Sequence, residues 1–295
     1  MNLPNDTNIP FFSYGIFKPG ELGFFRIGEF IKNIDRNCSI NGTLLIRDGL
    51  PIIDEEEFGT VYGVLIDFRK DKAKEAYQRI IDIEPDKHYW WGEIEVSTDN
   101  NKKIIANVLF GRSPKKGSVH SDDYSFEGNK DPLFKDAFDV IEDTIENRGR
   151  LEVDNSRFFK LQMAYLLLWT IIERYVTLRY HLGGNDVMFK IHELENDEIF
   201  CNELKKIDGG KRHIFRSDEP RTKVTLDFNN PKKAIDYYYQ IRSNIVHRGK
   251  AAFDDYRKLY NSTIELLSIM KKTVNNAFAE SSKLVWQTKK RVLLK

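Results

Sequence analysis

The chain changes its hydrophobic period partway along. Up to about residue 112, apolar residues come in short runs broken by Gly, Pro and Asp: PFFSYGIF, NGTLLIRDGLPII, GTVYGVLIDF, WWGEIEVS and KIIANVLFGR. Such runs read as strands. From residue 131 onward apolar residues recur three and four apart, the spacing of one helix face. Two domains follow, and 295 residues are enough for both. The expected division is an α/β domain over 1–112, a linker over 113–130 and a helical domain over 131–295. The linker is polar, rich in Gly and Ser, and lacks periodicity.

Within the first domain one helical stretch, KDKAKEAYQRIIDI, interrupts the strands, and WWGEIEVSTDNNKKIIANVLF reads as a hairpin turning at 99–101. In the second, Asp131-Pro132 has the chemistry of a helix start. A helix then places Leu133, Phe134, Phe138, Ile141 and Ile145 on one side. A longer one runs from Asp154 or Asn155 to a stop near Gly183 and is apolar over much of its circumference, as a central helix must be. A third opens at Pro231 and buries Ala234, Tyr238, Ile241 and Ile245. A fourth spans about 251–278 with Phe253, Tyr256, Tyr260, Ile264, Leu267 and Met270 inward. Residues 195–230 read as an irregular, charged insertion.

Several function classes drop out on composition. Formal net charge is +1, so any nucleic-acid contact has to come from a local basic patch. GGKRHIFRSDEPRTK is one such cluster, read foremost as a solvated loop. Two distant cysteines make neither a disulfide framework nor metal-ligand spacing, which fits a reducing cytoplasmic setting and predicts neither metal nor other cofactor. The longest apolar run, 164–169, is bracketed by Lys160 and Glu173, too short for a membrane span.

One stretch of the third helix, IRSNIVHRG, carries chemistry. Five positions on a helix set Arg242 and His247 about 140° apart, flanking the buried stripe rather than stacking on one line. A long arginine bends along the surface, so the two heads can converge, or a second copy of the helix supplies the partner. Histidine is a general acid or base near neutral pH, and arginine holds a phosphate and the charge developing on it. By spacing alone the pair is more often two solvated side chains. The segment PKKAIDYYYQIRSNIVHRGKAAFDDY, preceded by a long apolar helix, resembles the HEPN superfamily, in particular its Apea-like group. The resemblance covers about 131–280 and rests on Arg242, four residues, then His247. It implies an all-α bundle, a homodimer through the helical domain, and metal-independent RNA cleavage with Arg242 and His247 of both chains in one cleft. Ser243 and Asn244 take the place of the polar residue that follows the arginine in the family, as supporting residues. Many members of the superfamily bind or dimerise without cleaving.

A second motif lies at the front. In FSYGIFKPGELGF a strand ends at Tyr14-Gly15 and turns at Pro19-Gly20, where backbone N–H groups can face a small anion. With Gly42-Thr43-Leu44, Pro51, the Gly59–Gly63 segment GTVYG, Ile81-Asp82-Ile83-Glu84 and Tyr89, it resembles the gamma-glutamylcyclotransferase-like fold over about 100 residues. That implies a mixed β-barrel with helices. It implies Glu84 as the acid/base that closes a γ-glutamyl group to 5-oxoproline, with Tyr14, Gly15, Ile16, Phe17 and Tyr89 around the ligand. Tyr89, Trp90 and Trp91 would wall the acid and raise its pKa. Ile16 and Phe17 depart from the family's Ser or Thr and Leu, which makes the cleft floor bulkier. The combined expectation is a ribonuclease regulated by, or coupled to, a γ-glutamyl-sensing domain, in stress response or phage defence. The alternatives are a cyclotransferase acting through Glu84 and a non-enzymatic binding protein.

Overall fold

The computed structural model describes residues 1–47, 50–55, 59–84, 86–100, 102–116, 118–121, 133–146, 155–180, 187–216, 218–248 and 256–293. Two compact units emerge. The first is Met1–Glu127 with Leu178–Gly184 and Phe278–Lys295; the second is Gly128–Thr177 with Asn185–Ala277.

The first unit is built on a closed five-stranded barrel. Its strands are β1 (Phe11–Ser13), β2 (Ile31–Asn41), β5 (Thr60–Phe68), β6 (Tyr89–Ser97) and β7 (Lys103–Gly111), in the order β1-β5-β2-β6-β7. Every pairing is antiparallel except the closing one, where Phe11 lies parallel to Asn107. Closure leaves the barrel no open edge. A smaller sheet joins the hairpin β3 (Thr43–Arg47) and β4 (Leu50–Asp54) to β8 (Val119–His120). The hairpin predicted around 99–101 is β6–β7. The predicted helix is α1 (Ala73–Ile83), which buries Ala73, Ala76, Tyr77, Ile80 and Ile83 at three- and four-residue spacing. Tyr77 meets Phe11, Phe68 and Trp91 edge to face at 6.4, 5.3 and 5.4 Å.

The sequence reading missed β2. Its eleven residues, IKNIDRNCSIN, are half polar and expose Lys32, Asn33, Arg36 and Asn37. Two register irregularities against β5 break the alternation that would have marked a strand.

The second unit carries α2 (Asp136–Glu146), most of α3 (Asn155–Tyr180), α4 (Val187–His192), α5 (Glu198–Lys205), α6 (Pro231–Arg248) and the first half of α7 (Tyr256–Leu293). It is not all-α: β9 (Arg212–Phe215) and β10 (Lys223–Leu226) form an antiparallel hairpin. The stretch 195–230, expected to be irregular, therefore holds a helix and a hairpin. Asp197 starts the helix by accepting from the Ile199 and Phe200 N–H groups. Both elements are too short for their period to stand out from the surrounding charges. Helix α3 is central as predicted, with Phe158, Leu161, Tyr165, Leu168, Ile172 and Tyr175 all buried. Helix α6 buries Ala234, Tyr238 and Ile241. Helix α7 runs well past its expected end, and Ile264, expected inward, is 38% exposed. The expected helix signals at Asp131-Pro132, Asp154, Gly183 and Phe253 lie outside the described residues, as does most of the expected linker. No helix among the described residues is long and apolar enough to cross a membrane.

Candidate functional site

Helix α1 ends where its buried stripe ends. Glu84 is its C-cap: the Glu84 N–H reaches the Ile80 carbonyl at 2.9 Å, and the residue turns to extended geometry. The side chain comes to rest 7% exposed, with Oε2 fully buried and unpartnered. An unpaired buried carboxylate is costly, so the proton stays on: burial pushes its pKa from 4.5 up to about 8. The carbonyl-rich end of α1 beside it disfavours the anion further.

Through Tyr14, this acid is linked to a set of segments that contact one another. Tyr14 follows β1, is buried, and donates its hydroxyl to the Leu109 carbonyl at 2.6 Å. Burial first, and the neighbouring Glu84 carboxyl second, raise the Tyr14 phenol far above its ordinary pKa, against a hydrogen bond from the Ile53 backbone. Tyr89 opens β6 and donates to the Pro51 carbonyl at 2.8 Å. Gly15 lies flat on Pro51, where an added Cβ would stand 2.4 Å from the proline ring. Strand β7 supplies Leu109 and, at its end, Gly111, where a Cβ would stand 1.9 Å from Ile52. Tyr14, Gly15 and Tyr89 are thus tied to one another through Pro51, Ile53 and Leu109, and Glu84 acts on Tyr14 electrostatically.

The remaining predicted ligand residues play another part. The side chains of Ile16 and Phe17 are buried, Phe17 edge to face with Phe11 at 6.1 Å and Ile16 packed against Gly23. They build the core, so any ligand contact from this loop must come from its backbone. The Gly15 carbonyl accepts from the Lys18 N–H at 2.9 Å and closes the turn. Trp91 packs with Phe11 and Tyr77, and Trp90 with Phe110 at 5.1 Å, so these rings belong to strand packing. Sequence reasoning missed Arg112. It donates to the carbonyls of Asp86 and Tyr89 and holds the segment between Glu84 and β6. Its position directly after Gly111, at a strand end, was the available signal.

The helical pair is arranged differently. Arg242 and His247 both lie on α6, and neither a hydrogen bond nor an ion pair joins them. Arg242 is half-buried, 3.9 Å from Glu173 and over the Tyr239 ring at 5.5 Å. His247 is exposed, and Ser243 is half-buried. Asn244 is 3% exposed, donates to the Phe215 carbonyl at 3.0 Å and accepts from Gln240 at 2.8 Å. It tethers the β9–β10 hairpin to α6. Among the described residues no group of three His, Cys, Asp or Glu is placed to hold a metal.

No protein-family profile matches this chain, and no curated protein matches it. A crystal structure of YkqA from Bacillus subtilis is similar over 40% of this chain and 39% of that one, with 18% identity and a TM-score of 0.32. The chain thus covers about two-fifths of that neighbour's length.

Proposed function

We propose that the barrel unit is an acid–base catalyst of the gamma-glutamylcyclotransferase-like kind, with Glu84 as its proton carrier. The observation that carries the reading is one atom: Oε2 of Glu84, buried and unpartnered, in a carboxyl whose field reaches the Tyr14 phenol. A structural carboxylate is normally paired when buried. A pKa near 8 suits a group that must take and return a proton around neutral pH.

The substrate would be a γ-glutamyl amine or peptide. Ionised Glu84 removes a proton from the substrate α-ammonium. The freed amine attacks its own γ-carbonyl, and the C–N bond to the leaving amine breaks. Glu84 returns its proton to that amine and the ring nitrogen gives up a second one to it, so 5-oxoproline and an ammonium product form without consuming water. Substrate carboxylate would be met by the backbone of the Tyr14–Phe17 turn.

The test is 5-oxoproline release from a panel of γ-glutamyl amines. Glu84→Gln should lower it by about 10²–10⁴-fold, and kcat/KM of the parent should rise with pH until about 8. Full activity in Glu84→Gln overturns the reading.

A second reading concerns the helical unit, and it is favoured by the exposure of His247 on the same helix as Arg242. We infer metal-independent RNA cleavage of the HEPN kind: the RNA 2′-OH attacks the adjacent phosphate, His247 moves the proton and Arg242 takes the charge. A homodimer would bring two such pairs together, with the barrel's ligand as regulator. Degradation of cellular RNA in EDTA by the parent but not by His247→Ala supports it; degradation by both sinks it.

A further inference from the structure

The second unit contains a groove of about 450 Å³ that neither reading uses. Helix α2 supplies Val140 and Asp143, α3 supplies Arg157 and Lys160, and α7 supplies Tyr256 and Tyr260. The volume falls within the ordinary range for small-molecule sites.

Three features give the groove its chemistry. The first is positive charge. Arg157 and Lys160 stand three apart on α3, so both project to the same wall. Lys160 has no ion-pair partner among the described residues. The single carboxylate at the groove, Asp143, leaves the lining net positive. The second is helix polarity. The described parts of α3 and α7 start here, at Asn155 and Tyr256, and run away from it. Both helix dipoles therefore point their positive ends toward the groove, which favours an anion. The C-terminal half of α2 opposes them with one dipole against two. The third is a flat apolar wall. Tyr256 and Tyr260 are stacked, centroids 6.2 Å apart and planes within 17°, and Val140 beside them is 54% exposed. A parallel aromatic pair at the edge of an open groove offers a face for a further ring to stack on.

We propose that this groove binds a small phosphomonoester with a flat aromatic body, of mononucleotide size. The phosphate sits between Arg157, Lys160 and the positive ends of the two helix dipoles. The ring lies against Tyr256 and Tyr260, and Asp143 accepts from a hydroxyl or amino group of the ligand. Neither an inorganic anion nor a neutral ring would use both walls.

Isothermal titration of the full chain with adenosine 5′-monophosphate tests this, with adenosine and inorganic phosphate as the single-wall probes. The nucleotide should bind at least about tenfold more tightly than either probe. Lys160→Glu should weaken nucleotide binding about tenfold or more, and Tyr260→Ala should weaken nucleotide but not phosphate. Lys272→Glu, an exposed charge reversal outside the groove, controls for bulk charge and should change nothing. No heat of binding up to about 1 mM nucleotide overturns the proposal. So does nucleotide binding unaffected by Lys160→Glu, or phosphate binding as tightly as the nucleotide.

Discussion

Two glutamates, one in each unit, are largely removed from water and meet opposite fates. Glu265 on α7 is 15% exposed at its side chain and fully engaged. Arg212 grips both of its oxygens, and the Tyr238 hydroxyl donates to one of them at 3.0 Å. Tyr165 ties the same neighbourhood to α3 through the Tyr238 carbonyl. Glu84 in the barrel unit is more deeply buried, yet one oxygen has no partner at all. Burial alone therefore does not set the state of an acid; its partners do. In the first case the fold has built the counter-charge and the hydroxyl into the same shell. In the second it has left a proton in place of a partner.

The two residues should consequently answer to mutation with opposite signs. Glu265→Ala strands the Arg212 guanidinium and the Tyr238 hydroxyl, and breaking a buried pair from one side costs about 3–5 kcal/mol. Urea unfolding of the variant should show that loss at neutral pH; a loss below about 1 kcal/mol would put the pair with ordinary surface bridges.

Glu84→Gln should instead stabilise, increasingly so as pH rises from about 4.5 to 8. The folded pKa, about 8, lies above the ordinary 4.5, so the folded protein binds more protons between those values. Stability from this group is then fully present below 4.5 and declines as pH rises, levelling off above 8. The glutamine variant lacks the decline. Parent and variant should match at about pH 4 and differ by a few kcal/mol in the variant's favour at about pH 9. A variant no more stable than the parent at high pH would mean that Glu84 is paired in solution.

How far the sequence led depends on the kind of signal. The barrel strands with clean two-residue alternation and the helices with wide apolar stripes were readable, because burial on one face writes a period into the chain. Strand β2 was not, since its polar residues and bulges erase that period. Glu84 was reachable only through resemblance, because IDIEPD carries no local mark of a buried acid, and Tyr14, whose phenol feels it, is distant in sequence. What the side chains of Ile16 and Phe17 face was not legible for a related reason. An apolar residue beside a site glycine looks the same whether it faces ligand or core, and here Phe11 and Gly23 decide for the core.

Asn244 shows the same limit in the helical unit. By sequence it stands next to a catalytic-looking arginine; in space it fastens a hairpin carbonyl. Asn244→Ala leaves that carbonyl without its donor at a buried position, a loss of about 1–2 kcal/mol. It should appear as faster amide exchange across Arg212–Phe215, whose strand the bond secures. Unchanged exchange there would return Asn244 to a supporting role at the Arg242–His247 pair.

His247 completes the contrast with Glu84, since it should be nearly silent in stability. The ring is exposed, and among the described residues no buried group hydrogen-bonds to it. Surface substitutions of this kind usually stay within about 0.5 kcal/mol, so His247→Ala should unfold together with the parent. That silence is what gives the variant its use. Any RNA cleavage lost on removing His247 is lost from chemistry and not from folding, whereas activity lost in a variant that also unfolds early would say nothing about the pair. A destabilisation above about 1 kcal/mol would place His247 in a packed interface. The face of α6 would then be covered in solution, and a monomer–dimer measurement by sedimentation would show whether a second copy of the chain covers it.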